Sequence, residues 1–178
     1  MRIKTSIVAT FLLITTVSVS PTSQAKADDA QVARGKYLVT LGGCSDCHTP
    51  GTFLGKPDMD KFLGGSDVGF AIPGLGVFPG RNLTPDKQTG LGGWTDEQII
   101  KAMTTGVRPD GRTLAPIMPY MALSQLTPAD AQAIVAYLRS LKAVNNAVPG
   151  PFGLQEKPGV LVMTIVPPDV FVGLPPAK

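Results

Sequence analysis

Among its 178 residues the chain has one histidine, two cysteines and one tryptophan, and only 16% of its side chains are charged. Three Cys and His residues fall one short of the four ligands that a structural zinc site usually takes. The chain also lacks a long apolar run. Ile7–Val19 is the one extended stretch, it is interrupted by Thr and Ser, and its 13 residues are short of the ~20 that span a bilayer. A cationic cluster is missing too. The net charge of +3 comes from Arg2, Lys4 and Lys26, and from residue 28 onward 13 basic residues face 13 acidic ones. A neutral body without a basic stripe argues against nucleic acid as a partner.

The chain is rich in turn-formers, with 20 glycines and 17 prolines, so long uninterrupted helices or sheets are not expected. Its hydrophobic content of 43% is too high for a disordered chain, and its length fits one main domain. Arg2 and Lys4, the apolar Ile7–Val19 and the small residues ending at Ala27 have the layout of a secretory signal peptide, residues 1–27, with an uncleaved anchor helix as the alternative. No stable membrane span remains after cleavage at that point. The mature protein then works beyond the cytoplasmic membrane, which for a bacterium is the periplasm.

Helix signals appear in three places. Residues 28–41 put Ala30, Ala33, Tyr37 and Leu41 at near-helical spacing before Gly42 and Gly43. Thr95 and Gln98 form a capping box ahead of Ile99 and Met103, and Gly106 is placed to end that helix. Thr127 and Pro128 open the strongest pattern, with Ile134, Tyr137, Leu138 and Leu141 at i, i+3, i+4 and i+7. Residues 49–93 lose periodicity among glycines and prolines and read as loop rather than sheet. The division that follows is a domain over residues 28–145 and a proline-rich arm over 146–178. Seven prolines keep the arm from being helical through most of its length. An extended arm lying on the domain is the expectation, with a disordered tail or a docking strand as alternatives.

Short helices and long loops bury little apolar surface against chain entropy, so something besides side chains must fill the core. The two cysteines and the histidine fall in one pentapeptide, Cys44-Ser45-Asp46-Cys47-His48, directly after the first helix. This is the attachment motif of haem c: the thiols become thioethers on one porphyrin and the imidazole is aimed at the iron. A thioredoxin-like pair would need strands that the pattern does not show, and a plain disulfide would leave His48 without a role.

No second histidine exists for the opposite face of the iron, which leaves Met, Lys, water or an open position. Met59 is close in sequence to His48, Met103 has core packing as its default and Met163 lies in the arm. Met118, held between Pro116 and Pro119 in a long loop, is the candidate sixth ligand, and Met121 is the next.

Three further strings complete the pattern: Asn82-Leu83-Thr84-Pro85-Asp86, Gly93-Trp94-Thr95-Asp96-Glu97, and Pro109-Asp110-Gly111-Arg112-Thr113-Leu114 running on to Met118-Pro119-Tyr120. With the pentapeptide they resemble the class I c-type cytochromes, in particular the haem domains of the cytochrome c subunits of membrane-bound alcohol and gluconate dehydrogenases. The likeness runs from about Asp28 to Val144. It implies an all-α fold of three to five short helices around one covalently bound haem, with long Gly/Pro-rich loops. It also implies thioethers at Cys44 and Cys47, axial ligation by His48 and Met118, and first and last helices that cross near Tyr37 and Tyr137. Those subunits carry three such motifs and this chain carries one, so a triple-haem wire within this polypeptide is not expected.

The expected function is electron transfer, one electron at a time, between a redox protein donor and acceptor in a periplasmic respiratory or dehydrogenase-linked chain, without enzymatic turnover of a substrate. A haem-c peroxidase or gas-binding sensor with an open iron, and an obligate subunit of a dehydrogenase complex, are the rivals. Trp94, Arg81, Arg108 and Arg112 are uncommitted candidates for the haem propionates, and Tyr120 for packing beside the ligand loop.

Overall fold

A computed structural model describes residues 21–172. The apolar stretch of the expected signal peptide, Ile7–Val19, lies outside the described residues. Among the described residues there are six helices: α1 (Pro21–Leu41), α2 (Cys44–His48), α3 (Asp96–Thr105), α4 (Tyr120–Leu123), α5 (Pro128–Ser140) and α6 (Pro168–Val172). Three strands join them, β1 (Val68–Ile72), β2 (Gly76–Pro79) and β3 (Leu161–Met163), in the order β2-β1-β3.

The capping signals act where they were expected. Thr95 accepts from the Gln98 amide and Gln98 reaches back to the Thr95 amide, while Gly106 closes α3 in the left-handed region. Thr127 accepts from the Asp130 amide at the start of α5, with Pro128 in the first turn. The face of α1 differs from the expectation. Val39 and Gly35 are buried, whereas Tyr37 and Leu41 are 55% and 70% exposed. The reason is how closely the helices approach: a Cβ on Gly35 would stand 1.9 Å from the Ala133 carbonyl oxygen and 2.8 Å from the Tyr137 Cβ. α1 and α5 therefore approach most closely at Gly35, one half-turn before Tyr37 and against Tyr137. Tyr37 lies outside, beneath the Arg34 guanidinium, and Arg34 pairs with Asp130 of α5 at 2.8 Å.

The all-α expectation, and with it the reading of residues 49–93 as loop, needs correction. β1 and β2 form an antiparallel hairpin with Phe70 opposite Phe78, turned by Pro73-Gly74. The local signal was present, since Pro-Gly between short apolar runs is a turn signature. The third strand was not legible locally, because β3 comes from the arm and pairs in parallel with β1, Val68 against Leu161. On the other edge of the hairpin, Val77 and Phe152 exchange both backbone hydrogen bonds at 2.9 Å. Residues 146–163 thus follow the body along both sheet edges.

The core is small. Val39, Leu63, Ile134 and Leu138 form its centre, with Met103 packed against it, and among the described residues no buried hydrophobic side chain is aromatic. A polar knot sits beside it. Asn82, 2% exposed, donates to the Val144 carbonyl at 2.7 Å and to Thr89 Oγ1 at 3.0 Å, and accepts from the amide and the hydroxyl of fully buried Thr84. This knot joins the 82–86 string to the end of the domain. Asn82→Ala would leave the Thr84 amide and the Val144 carbonyl short of partners, so it is expected to lower the unfolding free energy of the holoprotein by about 3 kcal/mol, read by guanidinium denaturation.

Candidate functional site

Gly42 and Gly43 end α1 and redirect the chain into α2, a single helical turn that carries Cys44, Cys47 and His48. The two thiols are half-buried and are not joined to each other. Burial pushes both of them up from the ordinary thiol range, with a smaller contribution at each from the Asp46 carboxylate. That is the opposite of a nucleophilic or disulfide-exchanging cysteine, which needs a lowered value.

His48 is buried, and its Nδ1 lies 2.6 Å from the Arg81 carbonyl oxygen. A carbonyl only accepts, so Nδ1 carries the proton and the lone pair resides on Nε2. Among the described residues the hydrogen bond of the His48 ring is made through Nδ1. Burial holds the imidazole pKa below its usual value, with the Arg81 carbonyl pulling the other way. The result is a neutral imidazole fixed in the Nε2-ligand tautomer by a backbone acceptor, the arrangement typical of a metal-bound histidine. Its main chain is tied as well, since the Gly65 amide donates to the His48 carbonyl at 2.8 Å. Gly80 lets the strand end come this close: a Cβ there would stand 1.7 Å from the Cys47 carbonyl oxygen and 3.3 Å from His48 Nδ1.

This donor set fits haem c. Two uncombined thiols and one imidazole with a free Nε2 share a single helical turn, in a body whose own core is sparse. It does not suit zinc, because among the described residues no group of His, Cys, Asp and Glu side chains gathers as a metal site.

Met118 lies on a separate element, half-buried in the loop between α3 and α4. Its amide donates to the Ala115 carbonyl at 2.9 Å, and its carbonyl accepts from the Tyr120 amide at 2.8 Å. The loop returns to α3 through the Leu114 amide, which donates to the Gly106 carbonyl at 2.7 Å, and through the Tyr120 ring, which lies over Gly106. Met121, in α4, is 74% exposed.

The uncommitted arginines are not equivalent. Arg81 turns its guanidinium away from a ligand role and donates to the Val148 and Gly150 carbonyls of the arm. Arg108 stacks over the Trp94 ring at 5.2 Å. Arg112 and Arg108 both reach Asp110, and the hydrogen bond from Arg112 is the main reason the Asp110 carboxyl falls to about 2. The folded value is depressed, so the contribution of this pair to the loop is present above the ordinary carboxylate pKa of about 3.9 and is lost as pH falls toward 2. NMR titration of the Asp110 carboxyl carbon should show its midpoint about two units below the ordinary value, moving back up in Arg112→Gln.

Two contributors were missed by the sequence reading. Arg139, in the last turn of α5, donates to the Leu91 carbonyl at 2.9 Å, to the Trp94 carbonyl at 2.5 Å and to Asp96 at 3.0 Å, which fixes the turn that carries Trp94. The other is the Arg81 main-chain oxygen, which no residue-type pattern can reveal.

The chain is similar to known proteins. The family described as Cytochrome c matches residues 32–142. The chain is 35% identical over 155 residues to a fructose dehydrogenase cytochrome subunit of Gluconobacter japonicus, covering 82% of this chain and 30% of that protein. It is 36% identical over 126 residues to a gluconate 2-dehydrogenase cytochrome c subunit of Pantoea cypripedii, covering 71% and 26%. Over 111 residues it is 36% identical to the cytochrome c subunit of a quinone-type alcohol dehydrogenase of Gluconobacter oxydans, covering 62% and 21%. The chain thus spans less than a third of the length of these relatives.

Proposed function

This chain belongs to the cytochrome c family, and from that premise we propose that it is a single-haem electron carrier of the periplasm, passing one electron at a time between a redox protein donor and a redox protein acceptor. Haem c, when bound, supplies an iron that alternates between ferrous and ferric. Cys44 and Cys47 would hold it covalently, and His48 and Met118 would supply the protein ligands of its iron. The observation that carries this reading is the His48 tautomer, since Nδ1 is occupied by the Arg81 carbonyl and Nε2 is left to ligate beside two free thiols.

The chain's own residues keep the site constant through each electron passage. The Arg81 and Gly65 main chains hold both ends of His48, and two prolines stiffen the Met118 loop. No helix among the described residues is long and apolar enough to cross a membrane. The formally neutral body disfavours long-range steering, so electron-transfer rates should change little with ionic strength.

Visible spectra of the holoprotein, oxidised and reduced, with and without carbon monoxide, test the assignment. A low-spin haem c with a weak Met-to-iron charge-transfer band, whose ferrous form ignores carbon monoxide, supports the closed carrier. Ready carbon monoxide binding would transfer the protein to the peroxidase or gas-sensor reading. A second reading, an obligate electron-transfer subunit, is favoured by the relatives, each named as a dehydrogenase subunit. Purification at native abundance separates the two: a free shuttle elutes alone, a subunit with a large dehydrogenase.

A further inference from the structure

The first five residues of the arm are seated on Arg81, Gly64 and Gly65, and the main chains of Arg81 and Gly65 hold His48. Over residues 144–150 the half-buried positions are Val144, Asn146, Val148 and Gly150, alternating with exposed ones, as in an extended segment with one face against the body. Three contacts on that face converge on His48. The Arg81 guanidinium donates to the Val148 and Gly150 carbonyls and, at 3.4 Å, to that of Pro149, while the Arg81 carbonyl accepts from His48 Nδ1. Asn146 Nδ2 donates to the Gly64 carbonyl at 2.9 Å. The Val148 side chain lies over Gly65, where a Cβ would meet Val148 Cγ2 at 2.2 Å, and the Gly65 amide is the donor to the His48 carbonyl. Both the ring and the backbone of His48 are therefore held by residues that the arm in turn holds.

The geometry points to residues 146–150 as a positioning element for His48, acting through Arg81 and Gly64-Gly65 and thereby setting the reduction potential of the haem; this rests on the haem assignment above. The physical link is the Nδ1 hydrogen bond. A well-aligned acceptor on Nδ1 makes Nε2 a stronger donor to the metal and favours the ferric state. If the arm lifts, the Arg81 side chain loses its three carbonyl acceptors, its own carbonyl drifts from His48, and the ferrous state gains. A cleft of about 610 Å³ lined by Lys61, Ser66, Asp67, Val148 and Val160 runs between the arm and the body, so the arm is seated at discrete points rather than along its whole length. Arg81 is then a positioning residue with an occupied guanidinium, not a free cation at the haem edge.

Redox titration of the full-length holoprotein tests this with Arg81→Lys, Asn146→Ala and the double variant. Arg81→Lys keeps the charge and removes the planar fork, so a shift is not a charge effect. Each single variant should raise the ferrous-to-ferric ratio at fixed poise, Arg81→Lys by on the order of tenfold, which is about 59 mV for a one-electron couple. The double variant should exceed the larger single by little, because both unseat the same segment, residues 146–150. Exchange of the His48 Nδ1 proton, followed by NMR, should quicken in parallel. Unchanged potential and unchanged proton exchange would overturn the inference, and so would fully additive shifts. If Arg81→Lys fails to mature, Asn146→Ala alone decides by the same two readouts. Carbon monoxide binding by the unmodified holoprotein would instead remove the carrier assignment and leave these comparisons readable.

Discussion

Met118→Ala is expected to convert a carbon-monoxide-inert holoprotein into one that binds carbon monoxide in its ferrous form, and to lower the reduction potential by on the order of 0.1–0.3 V within the roughly 0.8 V range that axial ligands span. A thioether stabilises ferrous iron and fills the sixth position, and a methyl group does neither. The loop itself should survive, because its anchors are backbone hydrogen bonds at Ala115, Leu114 and Tyr120 together with the Tyr120 ring over Gly106. Loss of the Met-to-iron band without unfolding is the signature to look for. Met121→Ala is the matched control: its side chain is 74% exposed, and its removal should leave spectrum and potential in place. If Met121→Ala opens the iron and Met118→Ala does not, the sixth ligand is Met121.

The second large effect is expected at the crossing of α1 and α5. Gly35→Leu should yield little or no holoprotein, and Gly35→Ala should cost about 2–3 kcal/mol, although alanine favours an isolated helix over glycine by about 1 kcal/mol. The cause is the 1.9 Å between a Cβ at Gly35 and the Ala133 carbonyl oxygen. Main-chain atoms cannot turn aside as a flexible side chain can, so the helices must separate. Val39, Ile134 and Leu138, which share the core at this interface, then lose contact. Lys36→Ala, on the exposed side of α1, should stay within about 0.5 kcal/mol of the parent. Denaturant melts of the purified holoproteins decide, and a Gly35→Ala protein as stable as the parent would mean that the helices do not approach this closely.

These two sites differ in how they could be known. Met118 is picked out by its neighbours in the chain, two prolines and a long loop, together with a shortage of other candidate ligands. Gly35 carries no signal of its own. Helical periodicity singled out Ala30, Ala33, Tyr37 and Leu41 because larger or more apolar residues are usually the buried ones, yet on α1 the closest contact is made by the residue with no side chain. The same blindness affected the sheet. A Pro73-Gly74 turn was visible between apolar runs, but a hairpin is marginal alone, and its third strand lay about 90 positions away in an arm whose prolines argued against regular structure.

The sequence by itself determined what depends on a few adjacent residues. The pentapeptide at 44–48 carries the spacing that covalent haem attachment uses, and Thr95 with Gln98 and Thr127 with Pro128 specify where helices begin through contacts three residues long. Only the tertiary structure decided which face of α1 is buried, that Arg81 serves the arm with its side chain and His48 with its backbone, and that strands from distant segments share one sheet. His48 and Arg81 are 33 positions apart, and Arg81 and Val148 are 67 apart. A main-chain carbonyl is the same group in every residue. Which one receives the histidine proton is therefore set by how the chain returns on itself, not by which residues compose it.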